Sequence, residues 1–183
     1  MDVSNFSRAE KINGVSVVLP HIFKDSRGSF AKYFPIVDFE NKDNYSEVRQ
    51  VNLSTNPISG TVRGLHYQVE PHLEYKLVSC LHGSIFDVIL DLRKESCTFG
   101  QWNSFVLGPE TGSLLIPPMV AHGFQTLIDN SNVLYLHSTD YSPKFSLGIN
   151  PLDSKLDIPW PLNISNISIK DRGLPTFAEK FLL

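Results

Sequence analysis

The sequence predicts an all-β fold, an antiparallel sandwich or barrel, and three observations carry that prediction. Between residues 44 and 140 the chain breaks into about eight short segments separated by strong turn signals. Helical periodicity is scarce, so no alternation of strand and helix emerges. The turns also fall at near-regular spacing, which suits antiparallel strands joined by short connections.

Taken in order, the first marked feature is a turn with one arginine, Asp25-Ser26-Arg27-Gly28-Ser29-Phe30. A short helix is expected over 35–43, where Ile36, Phe39 and Glu40 share a face at helical spacing. Strands are expected over 47–54, 61–68, 76–80, 84–92, 101–107, 113–116, 123–128 and 132–139. Asn56-Pro57, His82-Gly83, Gly108-Pro109, Pro117-Pro118 and Asp129-Asn130 punctuate them. Segment 84–92 puts Phe86, Val88, Leu90 and Leu92 on one face, and Ile85, Asp87, Ile89 and Asp91 on the other. It reads as a strand with an apolar face in a core and acids near its opposite face. A terminal helix is expected over 176–183, preceded by Pro175 and with Phe177 and Phe181 four residues apart. No repeat, low-complexity tract or linker interrupts the chain, so residues 1–183 read as one domain.

Composition bounds the partners. A chain of 183 residues, 42% of them hydrophobic, can bury a core without disulfides or a structural metal. Sixteen Lys and Arg against 19 Asp and Glu give a net charge of −3, which argues against a nucleic-acid binder. A local cluster of cations can still hold one phosphorylated small molecule. Cys80 and Cys97 form no disulfide framework and no metal-binding CxxC pair, and read as two reduced, packed thiols. The start of the chain lacks a basic-then-apolar leader, and no apolar run approaches the roughly 18 residues of a membrane span. A soluble cytoplasmic protein with no membrane partner is expected.

The densest polar cluster is Arg63-Gly64-Leu65-His66-Tyr67-Gln68, followed by His72 and Lys76. A strand there places Arg63 with Tyr67 on one face, and His66 with Val62 and Gln68 on the other. A histidine so placed serves as a general base, a metal ligand or a satisfied core group. Lys76 opens the next strand, so a hairpin brings it near His66; the plainer reading is a solvated strand end. In the segment 116–124, His122 follows a double proline and reads as a residue at a strand mouth or a turn histidine bonded to a carbonyl. Tyr135 sits among apolar residues, where packing accounts for it, and Tyr141 follows Asp140. By itself, Ser168-Ile169-Lys170-Asp171 reads as an exposed charged turn.

Seven segments in register carry a resemblance. They are DSRGSF (25–30), RQVNLS (49–54), VRGLHYQ (62–68), YKLVSCLHGSIFDVILDLRKESCTFGQW (75–102), LLIPPMVAHGF (114–124), YLHSTDYSP (135–143) and IPW (158–160). Together they resemble the nucleotide-sugar 4-keto-6-deoxyhexose epimerases of the dTDP-4-dehydrorhamnose 3,5-epimerase family, from about residue 15 to the Lys-Asp pair at 170–171. The resemblance implies a cupin-type antiparallel jelly-roll barrel with short flanking helices, usually a homodimer, acting without cofactor in deoxysugar and polysaccharide biosynthesis. It implies that His66 is the catalytic base, Asp171 the carboxylate that orients it, Tyr135 the proton donor on the opposite sugar face, and Lys76 the group beside the C4 oxygen. Arg27, Phe30, Lys32, Gln50, Asn52, Arg63, His122 and Lys170 match substrate-binding positions, and Tyr141 the aromatic that stacks on the nucleobase. Metal-dependent cupins present a His-x-His pair with a nearby Glu; His66, His72 and His122 contain no such pair, so no metal is expected.

The chemistry agrees with these types. Inverting a carbon beside a ketone requires a base on one face, an acid on the other, and stabilisation of the enolate oxygen. Arg27 and Arg63 supply forked donors for a diphosphate. Two positions depart from the family pattern: Lys32 and Ser146 stand where dTDP-specific members carry Glu. A lysine suits the bare N3 acceptor of cytosine, so a mono-epimerase of a CDP-linked (di)deoxyhexose is one alternative, and a phosphate or solvent contact of Lys32 the plainer one. A sugar ketoisomerase and a non-catalytic sugar-nucleotide-binding cupin are the remaining competitors. The segment 14–19 is expected to pair with a partner's sheet edge.

Overall fold

A computed structural model describes residues 12–33 and 47–182. The helix expected over 35–43 lies outside the described residues. The strands are β1 (Ser16–Val18), β2 (His21–Asp25), β3 (Gly28–Lys32), β4 (Gln50–Asn56), β5 (Thr61–Gln68), β6 (Lys76–His82), β7 (Ile85–Asp91), β8 (Trp102–Leu107), β9 (Ser113–Ile116), β10 (Val120–Thr126), β11 (Ser131–His137), β12 (Ser146–Gly148) and β13 (Asn166–Ile167). Two short helices close the chain, α1 (Ile169–Arg172) and α2 (Phe177–Phe181). All eight expected strands are present. The additional ones are very short, like β1, β12 and β13, or form an exposed hairpin, β2–β3, whose sequence lacks apolar alternation.

A five-stranded sheet ordered β1-β9-β6-β11-β4 faces a sheet ordered β12-β5-β10-β7-β8, onto which β13 pairs in parallel beside β5. This is a jelly-roll sandwich. Its inner core joins Val78, Cys80, Ile116 and Val133 of the first sheet to Ile85, Ile89, Leu107 and Phe124 of the second. Each such fully buried side chain contributes about 1.5–3 kcal/mol. A second cluster lies on the outer face of the larger sheet. There Leu65, Phe86, Val88, Leu90 and Trp102 are covered by Ile149, Leu156, Trp160, Phe177 and Phe181 from the C-terminal segment.

Strand β7 is therefore buried on both faces, as its alternation allows. Asp91 survives there because Arg93 (2.8 Å), Ser96 (2.6 Å) and Thr98 (2.7 Å) all donate to its carboxylate. Burial pushes its pKa up, but these donors outweigh burial and hold it at about 2. The terminal helix is capped by Thr176 and Glu179, which form a reciprocal capping box.

Within segment 14–19, β1 pairs on one side with β9 of the same chain and forms an edge of its sheet. Two expectations need correction. Cys97 is exposed rather than packed, because its loop follows β7 at the surface; Cys80 is buried. Finally, β5 and β6 form no hairpin. They belong to opposite sheets, and Lys76 reaches His66 across the gap between them.

Candidate active site

A cavity of about 580 Å³ opens between the two sheets, within the range of small-molecule sites. Its floor is set by an irregularity between β5 and β10. His122 pairs with His66 and Phe124 with Arg63, so Gly64 and Leu65 together oppose Gly123. This bulge breaks the alternation of β5. Leu65 packs into the outer cluster, whereas Arg63 and His66 both line the cavity, against the opposite faces that strict alternation predicts. Glycine is required at 64. Its φ is +112°, and a Cβ there would stand 2.5 Å from the Gly123 Cα.

The 168–171 segment is no exposed turn. Pairing of β13 with β5 delivers it to the cavity, where Ser168 caps α1 by accepting from the Asp171 N–H at 2.9 Å. Asp171 is thereby buried, with Oδ1 2.7 Å from His66 Nε2 and Oδ2 3.3 Å from the Gly64 N–H. Burial raises the Asp171 pKa, but hydrogen bonds from His66, Gly64 and Ser168 outweigh it and leave the carboxyl below its ordinary value. An ionised Asp171 accepts only, so His66 carries its proton on Nε2 and presents the lone pair of Nδ1.

From the opposite sheet, β11 supplies Tyr135. Its ring meets those of His122 and His137, each at 5.9 Å, and no described residue hydrogen-bonds its hydroxyl. Burial, reinforced by the charge of Asp87 and opposed by Arg63, pushes its pKa far above the ordinary value. The phenol therefore holds its proton. His122 is neither a mouth nor a turn residue: it lies within β10, buried, with Nε2 2.7 Å from Asp87 Oδ2. Burial pushes the Asp87 carboxyl up, and His122 only partly offsets this.

Lys76 is buried, not a solvated strand end. Its ammonium donates to the His66 carbonyl (2.9 Å) and to Glu74 (3.0 Å), leaving a third N–H. Arg63 donates through Nε to Asn56 at 2.8 Å, which fixes the guanidinium and leaves its outer nitrogens without a described partner. Gln50, Asn52, Tyr141 and Lys170 complete the lining from the rim, with Ser146 on the wall. Arg27, Phe30 and Lys32 are not brought there. They stand on the β2–β3 hairpin, where Arg27 pairs with Asp25 at 2.7 Å. His72 stacks on Phe145 outside the cavity. Among the described residues, no group of three His, Cys, Asp or Glu side chains is arranged to hold a metal ion.

Two ionisable lining residues, Glu74 and His137, escaped the sequence reading of the site, as did Asp87, the buried partner of His122. A signal was present for the first two: His137 is two residues from Tyr135, on the same side of β11, and Glu74 is two residues from Lys76, just before β6 begins.

Comparison with known proteins gives a consistent answer. Residues 9–179 match the family model of dTDP-4-dehydrorhamnose 3,5-epimerase. The chain is 39% identical over 171 residues to the Shigella flexneri dTDP-4-dehydrorhamnose 3,5-epimerase, covering 92% of this chain and 94% of that protein. Among solved structures, the Bacillus anthracis dTDP-4-dehydrorhamnose 3,5-epimerase with TDP and pyrophosphate bound superimposes with a TM-score of 0.86 at 36% identity, over 93% of this chain and 98% of that one. A 3'-monoepimerase from Streptomyces bikiniensis in complex with dTDP-quinovose gives a TM-score of 0.86 at 31% identity, over 93% and 88%.

Proposed function

Because the chain belongs to the dTDP-4-dehydrorhamnose 3,5-epimerase family, a family of isomerases, we propose that it inverts C3 and C5 of a dTDP-linked 4-keto-6-deoxyhexose. One observation carries the mechanism: a histidine–carboxylate pair and a protonated tyrosine face one cavity from opposite sheets, with an ammonium group between the strands. C3 and C5 both adjoin the C4 ketone, so one enolate-stabilising group serves both positions.

His66 Nδ1 takes the proton from the carbon, and the C–H electron pair moves through the forming double bond onto the C4 oxygen. The third N–H of Lys76 stabilises that enolate more than the ketone it came from, which lowers the barrier. Asp171 offsets the positive charge that the imidazole ring acquires. Tyr135 then gives its proton to the opposite face of the carbon. The enolate electrons return to form the new C–H bond; His66 then passes its proton to solvent and solvent reprotonates the phenolate, which restores both groups. Positioned acid–base groups of this kind contribute about 10²–10⁴-fold each. Arg63 and Lys170 suit the diphosphate, and Tyr141, half exposed at the rim, suits the base.

The deciding experiment follows deuterium incorporation from D₂O into a dTDP-4-keto-6-deoxyhexose by NMR. Exchange at both C3 and C5 is expected, and His66→Ala should abolish it while dTDP binding survives. Exchange at one carbon alone makes the protein a mono-epimerase; none from a folded protein removes the epimerase, and a migrated carbonyl identifies a ketoisomerase. Competition among dTDP, UDP and CDP tests the base, with dTDP expected to bind most tightly and a CDP preference overturning that assignment.

A homodimer belongs to the same reading. The β2–β3 hairpin pairs only with itself among the described residues, yet exposes Phe23 (56%) and Phe30 (67%). Strand β4 is a sheet edge that exposes Val51 and Leu53. A second copy covering these surfaces accounts for Arg27, Phe30 and Lys32, which reach substrate in the neighbouring cavity. Sedimentation should give a dimer. Mixing His66→Ala and Arg27→Ala chains should restore activity that neither has alone. A cytoplasmic location goes with this role.

A further inference from the structure

We infer that Glu74 is a positioning residue, the acceptor at which two lines of hydrogen-bond donors converge to fix Lys76, His137 and the rim of the cavity. The first line begins at a donor with no alternative role, the Tyr141 backbone N–H, which gives to Gln50 Oε1 at 2.8 Å. That bond orients the Gln50 amide, so Nε2 donates to Asn52 Oδ1 at 3.0 Å. Asn52 must then turn its own nitrogen to His137 Nε2, 3.3 Å away. With Nε2 accepting, the ring carries its proton on Nδ1 and donates it to Glu74 Oε2 at 2.9 Å. The second line is one bond long: the Lys76 ammonium gives to Glu74 Oε1 at 3.0 Å.

Each donor along the first line leaves one choice for the next group. Both lines end on position 74, and both ends require an acceptor. Only a carboxylate offers two acceptor oxygens with no donor. Its surroundings keep it ionised: burial raises the Glu74 pKa, but Lys76 and His137 bring it below the ordinary value. The side chain is 8% exposed, so water does not substitute for either partner. Glutamine at 74 cannot serve both lines. With its oxygen on Lys76, its amide nitrogen faces His137 Nδ1. The ring proton must then move to Nε2, Asn52 and Gln50 must flip in turn, and the last flip sets an amide nitrogen against the Tyr141 N–H. A perturbation beside the sugar's C4 oxygen thus reappears at the nucleobase end.

The kinetic expectation rests on the epimerase reading; the ring-nitrogen expectation does not. Histidine-¹⁵N protein without substrate is examined by long-range ¹H–¹⁵N NMR at neutral pH, with His137 assigned by His137→Gln. Wild type should show the Nδ1–H form. In Glu74→Gln, His137 should shift to Nε2–H, dTDP binding should weaken at least about threefold, and C3 and C5 exchange should slow about 10- to 100-fold, the equivalent of one charge-assisted hydrogen bond. Glu74→Asp, which keeps an acceptor-only group, should retain the wild-type ring form. A proton on Nε2 in wild type overturns the inference. So does a folded Glu74→Gln with unchanged ring form and exchange within twofold of wild type. Should Glu74→Gln fail to fold, the ring forms of wild type and Glu74→Asp decide. If wild type never exchanges deuterium, the epimerase reading falls and the ring forms alone decide the role of Glu74.

Discussion

Replacing Asp171 by Asn keeps the shape of the side chain and changes one oxygen into a donor, at a site with two N–H groups to receive. The carboxylate faces His66 Nε2 at 2.7 Å and the Gly64 N–H at 3.3 Å, and its side chain is 7% exposed. If Asn turns its oxygen to His66, its NH₂ meets the Gly64 N–H, a buried donor–donor clash costing about 1–3 kcal/mol. If it turns its nitrogen to His66, the clash disappears, but the ring must accept at Nε2 and carry its proton on Nδ1. The second arrangement wins, and it removes the lone pair that takes the substrate proton. The expected loss is the whole acid–base contribution of His66, about 10²–10⁴-fold in exchange at C3 and C5. The assay is deuterium incorporation at saturating dTDP-4-keto-6-deoxyhexose, with dTDP affinity expected within about twofold of wild type, because the diphosphate and base groups are untouched. A folded Asp171→Asn protein exchanging within about threefold of wild type refutes the assignment of His66 as a base oriented by Asp171.

Tyr135→Phe removes a hydroxyl that no described residue uses, so thermal stability should barely change. Proton abstraction by His66 should survive as slow exchange, while epimerised product, followed by NMR, falls about 10²–10⁴-fold. Lys76→Met should slow exchange about 10²–10³-fold, as expected for loss of one oxyanion donor. It also strips Glu74 of its ammonium, so calorimetry should show a lower Tm. For Asp91 the folded pKa of about 2 lies below the ordinary 3.8, so the group stabilises the fold above pH 3.8 and loses that contribution as pH falls through 2. The gap corresponds to about 2 kcal/mol. Asp91→Asn should lower stability by about that amount at pH 7, and chemical denaturation should show a flatter loss of stability between pH 4 and 2.

Some of the architecture is legible because burial writes itself onto strand alternation. Segment 84–92, with four apolar residues on one face, proved to be the strand buried on both sides, and the aliphatic members of its second face entered the inner core. The short strands were illegible for the opposite reason: three residues such as Ser16–Val18, or an exposed hairpin, bury too little to impose a pattern. At the site, Lys76 and Asp171 read as solvated by local sequence, because nothing within ten residues reports that a strand from elsewhere will cover them. Only the in-register family segments pointed to their roles.

By itself the sequence determined the eight longer strands from β4 to β11, the two-faced character of the central strand and the residue types that inversion needs. Those are local properties, fixed by period and by side-chain chemistry. The tertiary structure alone decided that Arg63 and His66 share a face, since a bulge opposite Gly123 overrides their spacing. It alone brought Asp171 to His66 across 105 positions, through a two-residue parallel pairing and a capped turn of helix. It also joined Glu74 to His137, 63 positions apart, because the acceptor a buried donor requires is chosen by distance in space.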